Sequence, residues 1–174
     1  ACLSAAMNEN PGRGRLLLIR FRSLGDILLS LPLARVLAEA GHSVEMVVDE
    51  AYAGLVRGHD FIAREHVRPR GWRGRASLMA GLAGKFSLAV DLHGSPAAAF
   101  LARVAAPRVA GFAGKRLAGL YNIKVPPAPG NLHTIEVNLS VATALGIPVS
   151  RPIRLLGPPA DPELNRVIPS RPAA

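Results

Sequence analysis

Cysteine is nearly absent from this sequence, in which a single residue, Cys2, lies near the N-terminus. One cysteine excludes a disulfide framework and a thiolate metal cluster, and it is compatible with a reducing compartment such as the cytosol. The five histidines show neither an H-x-x-x-H pair nor a paired Cys/His spacing, so the sequence predicts no zinc site.

Long apolar runs are also missing. No stretch approaches the roughly 18 consecutive apolar residues that a membrane-spanning helix needs. The opening residues 1–14 lack the apolar core of a signal peptide and are predicted to form a loose leader. Aromatic residues make up only 5% of the chain, so the stacking platforms of single-strand nucleic-acid binders are not expected.

Several nucleotide and hydrolase motifs are absent. The nearest match to G-x-G-x-x-G, the GRGR of residues 12–15, precedes the first predicted strand, whereas a dinucleotide fingerprint follows it. No G-x-x-x-x-G-K-[ST] is present, which excludes a P-loop nucleotide-binding site in this sequence. The HGSPA around Ser95 is not G-x-S-x-G, so a hydrolase nucleophile elbow is not supported.

The composition is that of a folded, basic protein. Apolar residues make up 49% and charged residues 19% of the 174 residues, enough for one domain with a core. The net charge of +9 predicts attraction to an anionic partner, namely nucleic acid, phospholipid or a phosphorylated substrate. Two basic clusters, residues 13–22 and the predicted loop 64–75, carry much of this charge, although a solvated basic surface explains them equally well.

Strand-like and helix-like patterns alternate along the chain. Short apolar runs predict strands at 15–21, 43–48, 87–94, 108–112 and 121–125, with helical periodicity between them. This order is typical of an α/β fold, a Rossmann-like parallel sheet with helices on both faces. Pro32 must kink or restart the first helix, and a helix over 133–148 closes the domain, which we place at 15–150. Residues 151–174 are proline-rich and are predicted to be a linker or tail toward a further domain.

Asp26 lies between the first predicted strand and the helix that follows. Ser23 and Asp26 have the spacing of a capping box, which satisfies free N–H groups at a helix start. The same position is the carboxyl end of a strand, where open α/β sheets place their chemistry. Asp49, and the pair Asp91 and His93, follow other predicted strands, so these polar groups are expected to converge in one cleft.

Three stretches together resemble the lipopolysaccharide heptosyltransferases, glycosyltransferase family nine. They are LLLIRFRSLGDILLSLPLARVLAEAG with its S-x-G-D, AVDLHGSPAAAFLARVAAPRVAGF with D-L-x-G and R-x-x-G-F, and HTIEVNLSVATALGIP with H-x-x-E-x-N. Their order and spacing match the family over most of residues 15–148. One departure is SPAAAF after the D-L-x-G segment, where relatives often carry a basic residue.

The resemblance implies the N-terminal, acceptor-binding half of a GT-B glycosyltransferase. Such an enzyme transfers heptose from ADP-heptose to the lipopolysaccharide inner core, with inversion and without an obligatory metal or a cofactor. The donor would be bound mainly by a C-terminal domain, so this chain alone is expected to be inactive. The acceptor is anionic, and the resemblance implies a cytoplasmic protein in peripheral contact with the inner membrane and no nucleic-acid partner. Asp26 matches the proposed general base.

The other site residues are weaker predictions. Ser23 and Gly25 shape the turn, Gly25 either because a side chain would crowd the acceptor or because the turn needs glycine. Asp91 and His93 either line the acceptor cleft or cap a loop. His133, Glu136 and Asn138 are expected to hold a helix end in place rather than touch substrate. The predicted contacts to acceptor carboxylates and phosphates are Arg64, Arg68, Arg70, Arg73 and Arg75.

Two alternatives remain open at this level. One is a non-catalytic Rossmann-like nucleotide-binding module, against which the missing glycine fingerprint counts. The other is a basic nucleic-acid-binding domain, for which a steep salt dependence and nanomolar affinity for DNA at physiological salt would be the evidence.

Overall fold

Six strands form one parallel sheet in the computed structural model, which describes residues 14–127, 130 and 132–149. The predicted leader, apart from Gly14, and the predicted tail 151–174 lie outside the described residues, so the domain limits stay predictions. The strands are β1 (Arg15–Ile19), β2 (Ser43–Asp49), β3 (Arg64–Arg68), β4 (Leu88–Asp91), β5 (Arg108–Phe112) and β6 (Ile123–Val125).

The strand order is β3-β2-β1-β4-β5-β6, so the chain reverses its direction of travel across the sheet between β3 and β4. The helices are α1 (Leu24–Leu28), α2 (Leu31–Glu39), α3 (Trp72–Leu82), α4 (Pro96–Ala105) and α5 (Thr134–Ala144), with short 3₁₀ helices at Glu50–Leu55 and Ala118–Leu120. The predicted α/β Rossmann-like class is confirmed.

Both faces of the sheet are covered, and β1 shows why its sequence is an apolar run. Leu16 and Leu18 pack into a core on one face, beneath α2 and α5, and Leu17 and Ile19 pack into a second core beneath α4. Successive side chains of a strand point to opposite faces, so a strand buried on both sides has no place for polar residues. The first polar positions come where β1 ends, and this puts the polar chemistry at the carboxyl edge.

Proline restarts the first helix, as predicted. The helical segment is divided into α1 and α2, and Pro32 lies in the first turn of α2, where a missing N–H costs nothing. Between them, Ser30 is fully buried and its hydroxyl donates to the Ile27 carbonyl at 2.7 Å. The result is a five-residue α1 that carries Asp26 directly above the end of β1.

The predicted basic loop 64–75 is wrong as a description of the backbone. Arg64–Arg68 is the edge strand β3, and α3 begins at Trp72 rather than near Ser77. The charges are compatible with an edge strand, because β3 has a neighbour on one side only and none of its residues is fully buried. The segment REHVR contains a single apolar residue, Val67, so its sequence has no strand-like apolar pattern.

Candidate active site

Asp26 is held in place at the carboxyl edge by donors from two directions. Its Oδ1 pairs with an Arg20 guanidinium nitrogen at 2.8 Å, and its Oδ2 accepts from the Ser23 hydroxyl at 3.2 Å and the Ser23 N–H at 3.4 Å. The predicted capping box therefore forms. The side chain keeps 40% of its surface exposed, and a carboxylate has about four lone-pair positions, so one position is left after these three contacts.

The charge on Asp26 is stabilised more than a helix cap alone would achieve. Partial burial pushes the pKa of Asp26 up, but the charge of Arg20 and hydrogen bonds from Arg20 and Ser23 outweigh it, so the pKa lies below its usual value. The carboxylate is therefore ionised at neutral pH, able to accept a proton but a weak base at rest.

Gly25 lies inside α1 with an ordinary helical backbone, because it is not among the glycines with positive φ. A Cβ added there would meet nothing within 4 Å. Of the two predicted reasons for this glycine, the turn does not require it. Open space lies above Gly25, next to the exposed Leu24.

Asp91 is fully buried at the end of β4. Its Oδ1 accepts from the N–H groups of His93 at 2.9 Å and Gly94 at 2.8 Å, and its Oδ2 accepts from the Tyr121 hydroxyl at 2.7 Å. Burial raises the pKa of Asp91, and these hydrogen bonds only partly offset it. The geometry is that of the loop-capping alternative, and contact with an acceptor stays a prediction.

The R-x-x-G-F motif has its explanation in the same network. A Cβ on Gly111 would lie 2.6 to 2.8 Å from ring atoms of Tyr121. A glycine at this position of β5 therefore leaves room for the Tyr121 ring, whose hydroxyl binds Asp91.

His93, which follows β4, packs against residues from the ends of other strands. Its ring centroid lies 4.9 Å from that of Phe21, and the Arg68 guanidinium lies 4.1 Å above the Phe21 ring. Arg68 also binds Asp49 with two hydrogen bonds, of 2.6 and 3.0 Å. Burial and the charges of nearby arginines lower the pKa of His93, so the imidazole is neutral at neutral pH. The strand ends that carry Asp26, Asp49 and His93 are thus connected through Arg20, Phe21 and Arg68, whereas Asp91 is fully buried. Their convergence in one acceptor cleft stays a prediction.

The predicted basic residues separate into three groups. Arg68, Arg70 and Arg75 line a cavity of about 320 Å³ with Arg22 and Asp49. Arg64 lies at the amino end of β3, roughly 13 Å along the strand from Arg68, and so away from that cavity.

Arg73 forms the third group. It is exposed on α3, with its guanidinium 5.3 Å from the ring centroid of Trp72. Trp72 itself is 74% exposed.

A second cavity, of about 470 Å³, is lined by Arg20, by residues that follow β4 and β5, and by the first turns of α5. Arg20 and Lys115 give it positive charge, and Leu92, Phe112 and Val137 give it apolar walls.

The start of α5 is held as predicted. His133 caps the helix and its N–H donates to Glu136 at 3.3 Å. Asn138 donates to the Leu29 carbonyl at 2.9 Å and so ties α5 to the end of α1.

Sequence reasoning missed Arg20 and Tyr121 as parts of the site. From the sequence alone, Arg20 is only one of several basic residues. Its position directly after β1, however, predicts that it lies at the carboxyl edge. Tyr121 gave no signal, because its contact with Asp91 spans 30 residues and two strands.

Two further properties concern only the described residues 14–127, 130 and 132–149. None of their helices has the length and apolar character needed to cross a membrane. They hold no group of three or more His, Cys, Asp or Glu side chains placed to bind a metal ion.

Comparison with known proteins gives matches among solved structures. No protein-family model matches the sequence, and no curated protein matches it. The structure of E. coli heptosyltransferase WaaC with ADP matches with a TM-score of 0.64 and 28% identity, over 79% of this chain and 49% of that one. WaaC with ADP-2-deoxy-2-fluoro heptose matches with a TM-score of 0.64 and 25% identity, over 79% and 50%. The resemblance to glycosyltransferase family nine is confirmed.

A third family-nine structure supports the fold. The glycosyl transferase family 9 protein from Veillonella parvula matches with a TM-score of 0.64 and 22% identity, over 77% of this chain and 41% of that one. The chain thus spans half or less of the length of these family-nine structures.

Proposed function

We propose that this chain forms the acceptor-side half of a family-nine glycosyltransferase, with Asp26 as the general base. The observation that carries the proposal is the half-exposed Asp26 carboxylate, held by Ser23 and Arg20 at the carboxyl edge of a sheet similar to that of WaaC. A general base has to be ionised, fixed and accessible at the same time, and Asp26 meets these three conditions.

The reaction is an inverting displacement. Asp26 takes the proton from an acceptor hydroxyl as its oxygen attacks the anomeric carbon of the donor sugar. The new carbon–oxygen bond forms as the bond to the nucleotide phosphate breaks, and ADP leaves with that electron pair. Closure of the cleft removes water from around Asp26, which raises the basicity that Arg20 and Ser23 lower at rest.

The substrates follow from charge and from the similarity to WaaC, a heptosyltransferase solved with ADP and with an ADP-heptose analogue. We assign ADP-heptose as donor and the anionic inner core of lipopolysaccharide as acceptor. The 320 Å³ cavity supports an anionic acceptor, because Arg22, Arg70 and Arg75 line it and no ion pair within the described residues neutralises them. Arginine suits both carboxylates and phosphates.

The location follows from the acceptor. A lipid-linked acceptor requires contact with a membrane surface, and we propose a cytoplasmic protein that lies peripherally on the inner membrane. The exposed Trp72 beside Arg73 supports this contact, since an amphipathic aromatic ring and a cation both suit the headgroup region.

Turnover by two proteins tests the proposal: the 174-residue chain alone and a longer protein that joins it to a donor-binding domain. Each is incubated with ADP-heptose and a lipopolysaccharide core that lacks heptose. We expect product from the longer protein only, since the chain spans at most half of the structures it matches. Multiple turnover by the chain alone would refute the acceptor-half assignment, and transfer from another donor sugar alone would refute the heptose assignment.

A further inference from the structure

Arg20 connects two separate elements of the candidate site. One guanidinium nitrogen pairs with Asp26 Oδ1 at 2.8 Å, and the other terminal nitrogen donates to the carbonyl of Leu92. Its side chain is only 14% exposed, so packing restricts it to this arrangement. A planar guanidinium fixes the directions of both contacts at once.

The carbonyl that anchors Arg20 is itself held firmly. Leu92 is buried, and its N–H donates to the Ile19 carbonyl of β1 at 3.2 Å. The next two N–H groups, of His93 and Gly94, are bound by Asp91. Arg20 is therefore attached to a loop that the sheet and a buried carboxylate keep in one conformation.

Asp26 has little else to determine its direction. Its contacts to Ser23, at 3.2 and 3.4 Å, are longer than the usual hydrogen bonds to a carboxylate, so they hold the side chain only weakly. The contact to Arg20 is the shortest that Asp26 makes among the described residues.

We propose that Arg20 is the positioning residue of this site: its guanidinium, anchored on the Leu92 carbonyl, fixes the direction in which the Asp26 carboxylate points. The inference rests on the proposed function, because the direction matters only if Asp26 takes a proton from an acceptor. A displacement of about 1 Å between base and hydroxyl can cost roughly a hundredfold in rate.

Charge and geometry can be separated by two substitutions. Arg20→Lys keeps a positive charge, but a lysine ammonium lacks the fork that reaches both Leu92 and Asp26. Arg20→Met removes the charge and the hydrogen bonds while keeping an unbranched apolar side chain. Arg35→Met is the matched control, because Arg35 is paired with Asp60 at 3.7 Å and lines neither cavity of the site.

The first measurement is the titration of the Asp26 carboxyl carbon by NMR in the 174-residue chain, which requires no activity. In Arg20→Met the pKa of Asp26 rises above its wild-type value, because the positive charge that lowers this pKa against the effect of burial is lost. In Arg20→Lys the pKa of Asp26 rises less, because the positive charge is kept while the guanidinium hydrogen bond is lost, and in Arg35→Met it stays close to wild type. An unchanged pKa in a folded Arg20→Met chain would overturn the pairing.

The second measurement is turnover in the longer protein. Arg20→Lys is expected to lower kcat roughly tenfold to a hundredfold with KM changed by less than about threefold, and Arg20→Met also moves the acid limb of the kcat profile to higher pH. A kcat for Arg20→Lys within about twofold of wild type would overturn the positioning role. If the wild-type longer protein transfers no sugar, the proposed function fails, whereas the NMR titration still reports the pairing.

Discussion

Tyr121 donates its hydroxyl hydrogen to Asp91 Oδ2 at 2.7 Å, and this buried bond joins the last residue of β4 to the segment that precedes β6. This bond closes a network that runs from Asp91 through the following loop to the carbonyl that holds Arg20. The loop that supports the site is thus fixed by a residue outside it.

Tyr121→Phe should lower stability with little change in shape. The substitution leaves Asp91 Oδ2 buried without its donor, which costs about 1 to 3 kcal/mol of unfolding free energy. Urea denaturation measures the loss. Tyr52→Phe is the control, because the Tyr52 hydroxyl makes no hydrogen bond within the described residues, and we expect a change of about 0.5 kcal/mol or less. Equal losses in both variants would contradict the network.

Gly25→Ala tests whether Gly25 is needed for stability or for the approach of the acceptor. The backbone at Gly25 is helical and a Cβ there meets open space, so the unfolding free energy should stay the same or rise by up to about 1 kcal/mol. If the acceptor passes over α1, the added methyl group should raise the acceptor KM several-fold in the longer protein. An acceptor KM within twofold of wild type would show that nothing in the reaction approaches Gly25.

The stability of the chain should depend on pH through Glu45. Burial alone would raise the pKa of this side chain, but hydrogen bonds from Arg15 at 2.8 Å and His66 at 2.6 Å outweigh it, and the pKa is lowered. A depressed pKa means that Glu45 stabilises the fold above its unfolded value of about 4.5 and loses that contribution as pH falls through its lower folded value.

Glu45→Gln tests that dependence. We expect it to be about 1 to 3 kcal/mol less stable than wild type at pH 7, with a difference that shrinks between about pH 5 and pH 3. Urea midpoints across this range provide the measurement, and Glu39→Gln, an exposed acid on α2, controls for the loss of one charge. A difference independent of pH would contradict the assignment.

Binding to anionic vesicles should depend on the surface around Trp72. The residue is 74% exposed, and Arg70, Arg73 and Arg75 are exposed near it. Each cation near such a surface contributes on the order of 1 kcal/mol, so changing all three to Ala should abolish most sedimentation with anionic vesicles. Salt should weaken the wild-type interaction.

A control of equal charge makes the vesicle experiment specific. Changing Arg35, Arg57 and Arg103 to Ala removes the same net charge from elsewhere and should weaken binding much less. Equal loss in both triple variants would indicate a general effect of the +9 charge, and equal sedimentation with neutral vesicles would refute the electrostatic contact.

The sequence was sufficient for the sheet and for the position of Asp26 because both follow local rules. The apolar run 16–19 is buried on both faces, as is typical of the middle of a parallel sheet, and the polar residue after it has to lie at the carboxyl edge. The strand 64–68 could not be read, because an edge strand needs few apolar residues. The role of Arg20 cannot be predicted from the sequence for another reason: its two partners lie 6 and 72 positions away, and only the folded sheet brings them together.

The central claim is that Asp26 takes the proton from the acceptor, and Asp26→Asn in the longer protein tests it most directly. The asparagine oxygen can still accept the Ser23 N–H, but the ion pair with the largely buried Arg20 is lost, so stability falls whichever role Asp26 has, and the rate distinguishes the two roles. If Asp26 is only a cap, turnover of the folded variant would barely change. A lost base lowers kcat by roughly 10² to 10⁴-fold in a protein that is still folded, with acceptor affinity little changed. We predict the second result, and turnover within about threefold of wild type in a folded Asp26→Asn protein would contradict the account.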